Sequence, residues 1–149
     1  MAMMKIHKDF KEFLKLLNAN NIKYLLIGGY AVGYYGYPRP TGDMDIWIKK
    51  DEETAEKTVK VLNEFGFNSL DLTKELLLKE KQIIRMGIPP FRLEVSNFID
   101  GVDFDECFAE KENVDLDGVQ TNLISLHHLK INKKASGRYK DLNDLENLP

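Results

Sequence analysis

Three acidic side chains concentrate the chemistry available to this chain. Asp43 and Asp45 stand two residues apart, where Met44, Ile46 and Ile48 alternate with Asp43, Asp45 and Trp47. At the period of a β-strand both carboxylates project from one face, roughly 7 Å apart along the backbone. Their repulsion raises a proton affinity or is relieved by a cation. Hard oxygen ligands on a rigid strand suit Mg²⁺, which binds one or two carboxylates together with substrate phosphates. An Asp following Thr41-Gly42 also ends turns with no chemistry attached. Glu94 bears on that choice, because Phe91, Leu93 and Val95 point one way and Arg92, Glu94 and Ser96 the other. If the two strands are sheet neighbours, spaced about 4.8 Å apart, Glu94 completes a three-carboxylate cluster. The competing account pairs Glu94 with Arg92 or a lysine on an exposed strand, which would contribute little. Trp47 shares the acidic face, where it could stack on a base or simply belong to the core or rim.

Phosphate-binding groups lie on both sides of this motif in the sequence. Gly28-Gly29 ends an apolar run at the entry to a helix, where missing side chains let an anion approach the backbone. A tight strand-to-helix turn alone can also require glycine. Lys130, Lys133 and Lys134 share one helix face, and Arg138 follows Gly137. Such a basic stack suits either a bound triphosphate or a solvated helix end favoured by its dipole. His127 and His128 are about 100° apart on a helix and cannot readily chelate one ion together, so they are expected to be structural.

The elements that must hold these groups follow from periodicity. Ile6, Phe10, Phe13, Leu14 and Leu17 recur at helical spacing up to Asn18–Asn21. A strand over 23–27, a glycine turn and a short helix over 30–35 come next. After the acidic strand, Ala55, Val59, Leu62 and Phe65 mark a helix closed by Gly66, and a shorter helix spans 72–80 behind an Asp71 cap. Two strands, 82–86 and 91–96, form a hairpin-like pair around Gly87 and Pro89-Pro90. The acidic stretch 103–110 is expected to be irregular, and 119–123 to be an edge strand. A helix capped near Ser125 and a last one behind Asp141 finish the chain. The expected class is α+β: a mixed sheet with helices packed mainly on one face and short C-terminal helices.

With 149 residues, 43% of them hydrophobic, residues 1–149 read as a single domain with its own core. Charged residues make up 30%, but 21 Lys and Arg nearly balance 24 Asp and Glu, so no molecule-wide field draws in nucleic acid or an anionic membrane. The single cysteine, Cys107, excludes an internal disulfide framework and is expected to be inert. No apolar run is long enough to span a membrane, and the opening lacks the apolar stretch of a signal peptide, so the expected location is cytoplasmic.

Gly28-Gly29, thirteen intervening residues, Asp43-x-Asp45 and a later strand carboxylate at Glu94 resemble the signature of the nucleotidyltransferase superfamily typified by DNA polymerase beta. GGYAVGYYGYPRPTGDMDI, PPFRLEVSNFIDGVDF and NKKASGRYKDLNDL further resemble the AbiEii-like branch, relatives of minimal nucleotidyltransferases and nucleotidyltransferase toxins. The likeness spans Ile22 to Leu145. Many members have Gly-Ser in place of Gly28-Gly29, and Asp in place of Glu94. The resemblance implies that Gly28 and Gly29 line a triphosphate, that Asp43 and Asp45 hold metal, and that Glu94 is third ligand and base. It also implies nucleotide contacts from Arg39, Thr41, Arg138, Asp141 and either Lys133 or Lys134, although Asp141 could equally be only a helix cap.

The expected activity is transfer of a nucleoside monophosphate from an NTP to an acceptor hydroxyl, with pyrophosphate leaving and two Mg²⁺ ions, or Mn²⁺ in their place, in the active complex. The acceptor is left open among an RNA 3′ end, a protein hydroxyl and a small molecule, as is a role beside a cognate toxin or antitoxin protein. A non-catalytic nucleotide-binding regulator or antitoxin-like partner-binding module is the alternative. A metal nuclease is a weaker third reading, since it gives no reason for the glycine turn.

Overall fold

The computed structural model describes residues 5–149. The described residues build a six-stranded mixed sheet in the order β3-β4-β2-β1-β6-β5, with seven helices, an α+β arrangement. The helix α1 (Lys8–Ala19) buries Phe10, Phe13, Leu14 and Leu17, the apolar stripe legible in the sequence. Then β1 (Tyr24–Ile27), buried throughout, runs into α2 (Gly28–Tyr34), which starts at the glycine pair rather than two residues beyond it. The acidic strand β2 (Asp43–Ile48) lies antiparallel to β1, with Ile27 opposite Asp45. After it come α3 (Glu52–Glu64) and α4 (Lys74–Leu78); the cap of α4 is Thr73, whose hydroxyl accepts from the Leu76 N–H, and not Asp71. The strands β3 (Ile83–Met86) and β4 (Arg92–Ser96) pair antiparallel as expected.

Three expectations fail beyond this point. The acidic stretch is not irregular: Asp103 caps α5 (Phe104–Ala109) by accepting from the Glu106 N–H. Residues 119–123 form β6 (Val119–Leu123), which is interior, because an added strand, β5 (Glu112–Leu116), pairs with it and takes the edge. Asp117 and Gly118, both at positive φ, make the connecting turn. Ser125 caps α6 (Leu126–Ser136) as expected, but α7 (Tyr139–Asn147) starts behind Arg138. Asp141 therefore lies inside its first turn instead of capping it.

The core forms against one sheet face, where Met44, Ile46, Ile48, Leu93 and Val95 are buried with the α1 stripe. Phe13 of α1 meets Phe65 at the end of α3 edge to face, ring centroids 5.2 Å apart. Burying one face of β2 and β4 fixes their register, since a one-residue slip would turn Met44 and Leu93 outward. That register fixes where the acids point. Trp47 does share their face, but it is buried against Phe104 of α5, ring centroids 4.9 Å apart, and is not open to a base. No described helix is long and apolar enough to cross a membrane.

Candidate active site

Parallel pairing of β2 with β4 puts Asp43 opposite Arg92 and Asp45 opposite Glu94. The strands are direct neighbours, so the carboxylates of Asp43, Asp45 and Glu94 each offer an oxygen within 4.8 Å of the others. They line a cavity of about 580 Å³ together with Gly28, Gly29, Arg39, Lys133, Arg138 and Asp141. Of the candidate nucleotide contacts singled out from sequence, Thr41 and Lys134 stand outside its lining, and Thr41 has a structural part. Its hydroxyl donates to the Asp43 carbonyl at 3.0 Å and so steadies the approach to β2.

The glycines are there for space. Gly28 has φ +68°, and a Cβ on it would lie 2.0 Å from Asp45 Oδ2; a Cβ on Gly29 would lie 2.7 Å from Thr41 Oγ1 and 3.3 Å from Arg39 Nη1. Both the left-handed backbone and the packing of Gly28 against Asp45 exclude a side chain. The acidic strand and the turn therefore touch.

Asp45 carries the electrostatic strain. Burial, a hydrogen bond to Glu94, and the charges of Glu94 and Asp43 together push its carboxyl from 3.8 up to about 7, with Lys140 working the other way. Guanidinium groups offset part of the cluster's charge. Arg92 donates to both Asp43 oxygens at 2.6 and 3.0 Å, and Arg85 donates to Glu94 at 2.8 Å. The competing expectation that Glu94 pairs with Arg92 is met only loosely, at 3.5 Å. All the donors are carboxylate oxygens and Asp45 is destabilised as an anion, so the residues present fit a divalent cation.

Across the cavity lies a second, cationic group of residues. Lys133 is buried and contacts Asp141 at 3.2 Å and Asp144 at 3.0 Å, whereas Lys134 is exposed and outside the lining. Arg39 grips Asp144 through Nε and Nη2 at 2.6 and 2.7 Å. Arg138 pairs with Asp141 yet stays 74% exposed. Burial favours the neutral form of Asp141, but hydrogen bonds from Arg138, Ser136 and Lys133 outweigh it and hold the carboxyl down to about 2. His128 is buried with Nδ1 3.0 Å from the Ser125 hydroxyl, a structural placement. Burial pushes the Cys107 thiol up to about 12, which leaves it unreactive at neutral pH.

Four participants escaped the sequence reading of the site. From sequence Arg92 stands only as a competing partner of Glu94, and Arg85 only within the expected strand 82–86. Asp144 falls within the NKKASGRYKDLNDL stretch but has no role assigned to it there, and its partner Arg39 is remote in sequence. Lys140 lines the cavity and makes no ion pair among the described residues, the property of a cation left for a ligand. It is next to Asp141, and a sequence scan for bases near the acidic pattern could have found it.

No family model matches the chain, and no curated protein matches it either. Solved structures do. A candidate nucleotidyltransferase from Thermotoga maritima superposes with a TM-score of 0.62 at 18% identity, over 96% of this chain and 94% of its own. The lincosamide antibiotic adenylyltransferase LnuA, solved with lincomycin bound, matches with a TM-score of 0.58 at 15% identity, over 98% and 97%. An antigenic nucleotidyltransferase-like protein from Paracoccidioides brasiliensis gives 0.55 at 18%, over 92% and 72%. At such identities the likeness speaks for architecture, and it extends over nearly the whole chain: this protein has the nucleotidyltransferase fold.

Proposed function

We propose that the protein is a nucleotidyltransferase that moves a nucleoside monophosphate from an NTP to an acceptor hydroxyl. The observation that carries this is the convergence of Asp43, Asp45 and Glu94 beside the Gly28 turn. An acceptor oxygen attacks the α-phosphorus, the bond to the α,β-bridging oxygen breaks, and pyrophosphate departs. Asp43, Asp45 and Glu94 would hold two divalent cations, Mg²⁺ by preference with Mn²⁺ as substitute, which supply Lewis-acid neutralisation of the phosphoryl oxygens. Gly28 and Gly29 bring backbone close to the triphosphate. Lys140 and the exposed Arg138 meet its charge, with Arg39 and Lys133 behind them. Glu94 is the base that takes the acceptor proton. Asp141 holds Lys133 and Arg138, and Thr41 holds the β2 approach.

The acceptor is an RNA 3′ end or a protein hydroxyl, and the setting a toxin–antitoxin or phage-defence pair in the cytoplasm, as the AbiEii-like motifs imply. One observation favours a second reading. Arg92 and Arg85 already neutralise Asp43 and Glu94, as a non-catalytic nucleotide-binding regulator or antitoxin-like partner module would keep them. Incubating α-labelled NTPs and Mg²⁺ with RNA and with protein fractions separates the two. Label transfer with pyrophosphate release, abolished in Asp45→Asn, is expected; NTP binding without pyrophosphate would favour the regulator.

A further inference from the structure

Asp144 is only 1% exposed, yet the sequence attaches no chemistry to it. Its two oxygens receive cations from two separate parts of the chain. From the loop before β2, Arg39 gives Nε to Oδ1 and Nη2 to Oδ2, a fork that fixes the guanidinium plane. From α6, Lys133 Nζ stands 3.0 Å from Oδ2 and 3.2 Å from Asp141 Oδ1. The valences leave something over. An ammonium has three N–H bonds, and Lys133 has two acids to meet, donating to Asp141 and holding Asp144 at ion-pair distance. Arg39 Nη1 and Nη2 each have two and spend one, Nη1 on the Pro40 carbonyl at 3.3 Å and Nη2 on Asp144. Each cation therefore keeps a donor, and both line the cavity. The unspent donor on Nη1 belongs to the nitrogen that lies beside Gly29, close enough that a Cβ there would sit 3.3 Å away.

We propose that Asp144 is a positioning residue for the triphosphate: it orients Arg39 Nη1 and Lys133 Nζ toward the Gly28-Gly29 turn while partly cancelling their charge. This rests on the nucleotidyl-transfer reading and assigns a role within it. The same carboxylate ties α7 to the loop that carries Thr41 and the approach to β2, so both walls of the phosphate seat are fixed by one side chain. The alternative is that Asp144 merely neutralises two buried cations to keep α7 folded.

Removing the charge would mix two opposed effects, because lost orientation weakens phosphate binding while a lost anion strengthens it. Charge-conserving variants avoid this. Asp144→Glu displaces the carboxylate by one methylene, and Arg39→Lys keeps the charge but loses the fork, so either remains informative if the other fails to fold. Inorganic tripolyphosphate with Mg²⁺ is the probe, read by calorimetry on the folded fraction, alongside the four NTPs and Mn²⁺ alone. Each variant should weaken tripolyphosphate about tenfold and leave Mn²⁺ affinity within about twofold. The double variant should be little worse than either single one, since the two residues act as a unit. A purely structural role would lower the melting temperature and binding amplitude with tripolyphosphate affinity unchanged, which would overturn the proposal, as would additive losses. Wild-type protein that binds NTPs but not tripolyphosphate overturns the proposal alone. Protein that binds neither overturns the transfer reading beneath it as well.

Discussion

Replacing Asp45 with Asn should make the metal-free protein more stable while removing its response to metal. The folded chain holds the Asp45 proton up to about pH 7, whereas the unfolded chain releases it near 3.8. Between those values the folded state binds more protons, so stability falls as pH rises through that window and the full cost is present above it. The difference corresponds to about 4 kcal/mol, which solvent at this partly exposed site reduces to about 2 kcal/mol. For a chain of this length that is a rise of about 4–8 °C in melting temperature. Thermal denaturation in EDTA at pH 8 should display it, and at pH 4 the difference should nearly vanish because Asp45 is then protonated. Addition of Mn²⁺ should raise the wild-type midpoint and leave Asp45→Asn unmoved. A lower midpoint for the variant at pH 8 without metal would refute the claim that crowded carboxylates strain this site.

Gly28→Ala forces a Cβ to within 2.0 Å of Asp45 Oδ2 at a φ of +68°; it should cost about 1–3 kcal/mol by urea unfolding and reduce transfer at least about a hundredfold. Arg92→Ala leaves Asp43 without its guanidinium partner, so the metal-free melting temperature should fall and the Mn²⁺-induced rise should grow; no change in either would show that Arg92 does not stand in for a cation. Asp141, held down to about 2 against its ordinary 3.8, contributes about 2 kcal/mol above that range. The contribution should be lost as pH falls from about 4 to about 2. Chemical unfolding of Asp141→Asn against wild type at pH 7 and pH 2.5 measures this, with the difference shrinking at the lower pH.

The sequence was most legible where one periodicity ran without interruption. Alternation around Asp43 and Asp45 and around Glu94 gave two strands and the face their acids share, and the core fixed the register. It was least legible where elements are short and polar. In β5 only Val114 and Leu116 are buried among Glu112, Asn113 and Asp115, too few for a pattern, although Asp117-Gly118 is a hairpin turn signal that points to the strand. Likewise, α5 spans six residues and shows only the helical spacing of Phe104, Cys107 and Phe108. Asp144 was illegible for a different reason: its partner Arg39 is 105 positions away, and no local pattern records such a pairing. Arg39 and Lys133 stand out from sequence as phosphate contacts, but nothing local tells of the acids that engage part of their donors.

Anomalous scattering from Mn²⁺ in crystals grown with a non-hydrolysable NTP analogue would locate the cations against the three carboxylates. Peaks are expected within coordination distance of Asp43, Asp45 and Glu94, with the analogue's triphosphate beside Gly28 and Gly29. Mn²⁺ bound elsewhere, or an analogue seated with Arg92 and Arg85 still closed on Asp43 and Glu94 and no ion between them, would contradict this placement.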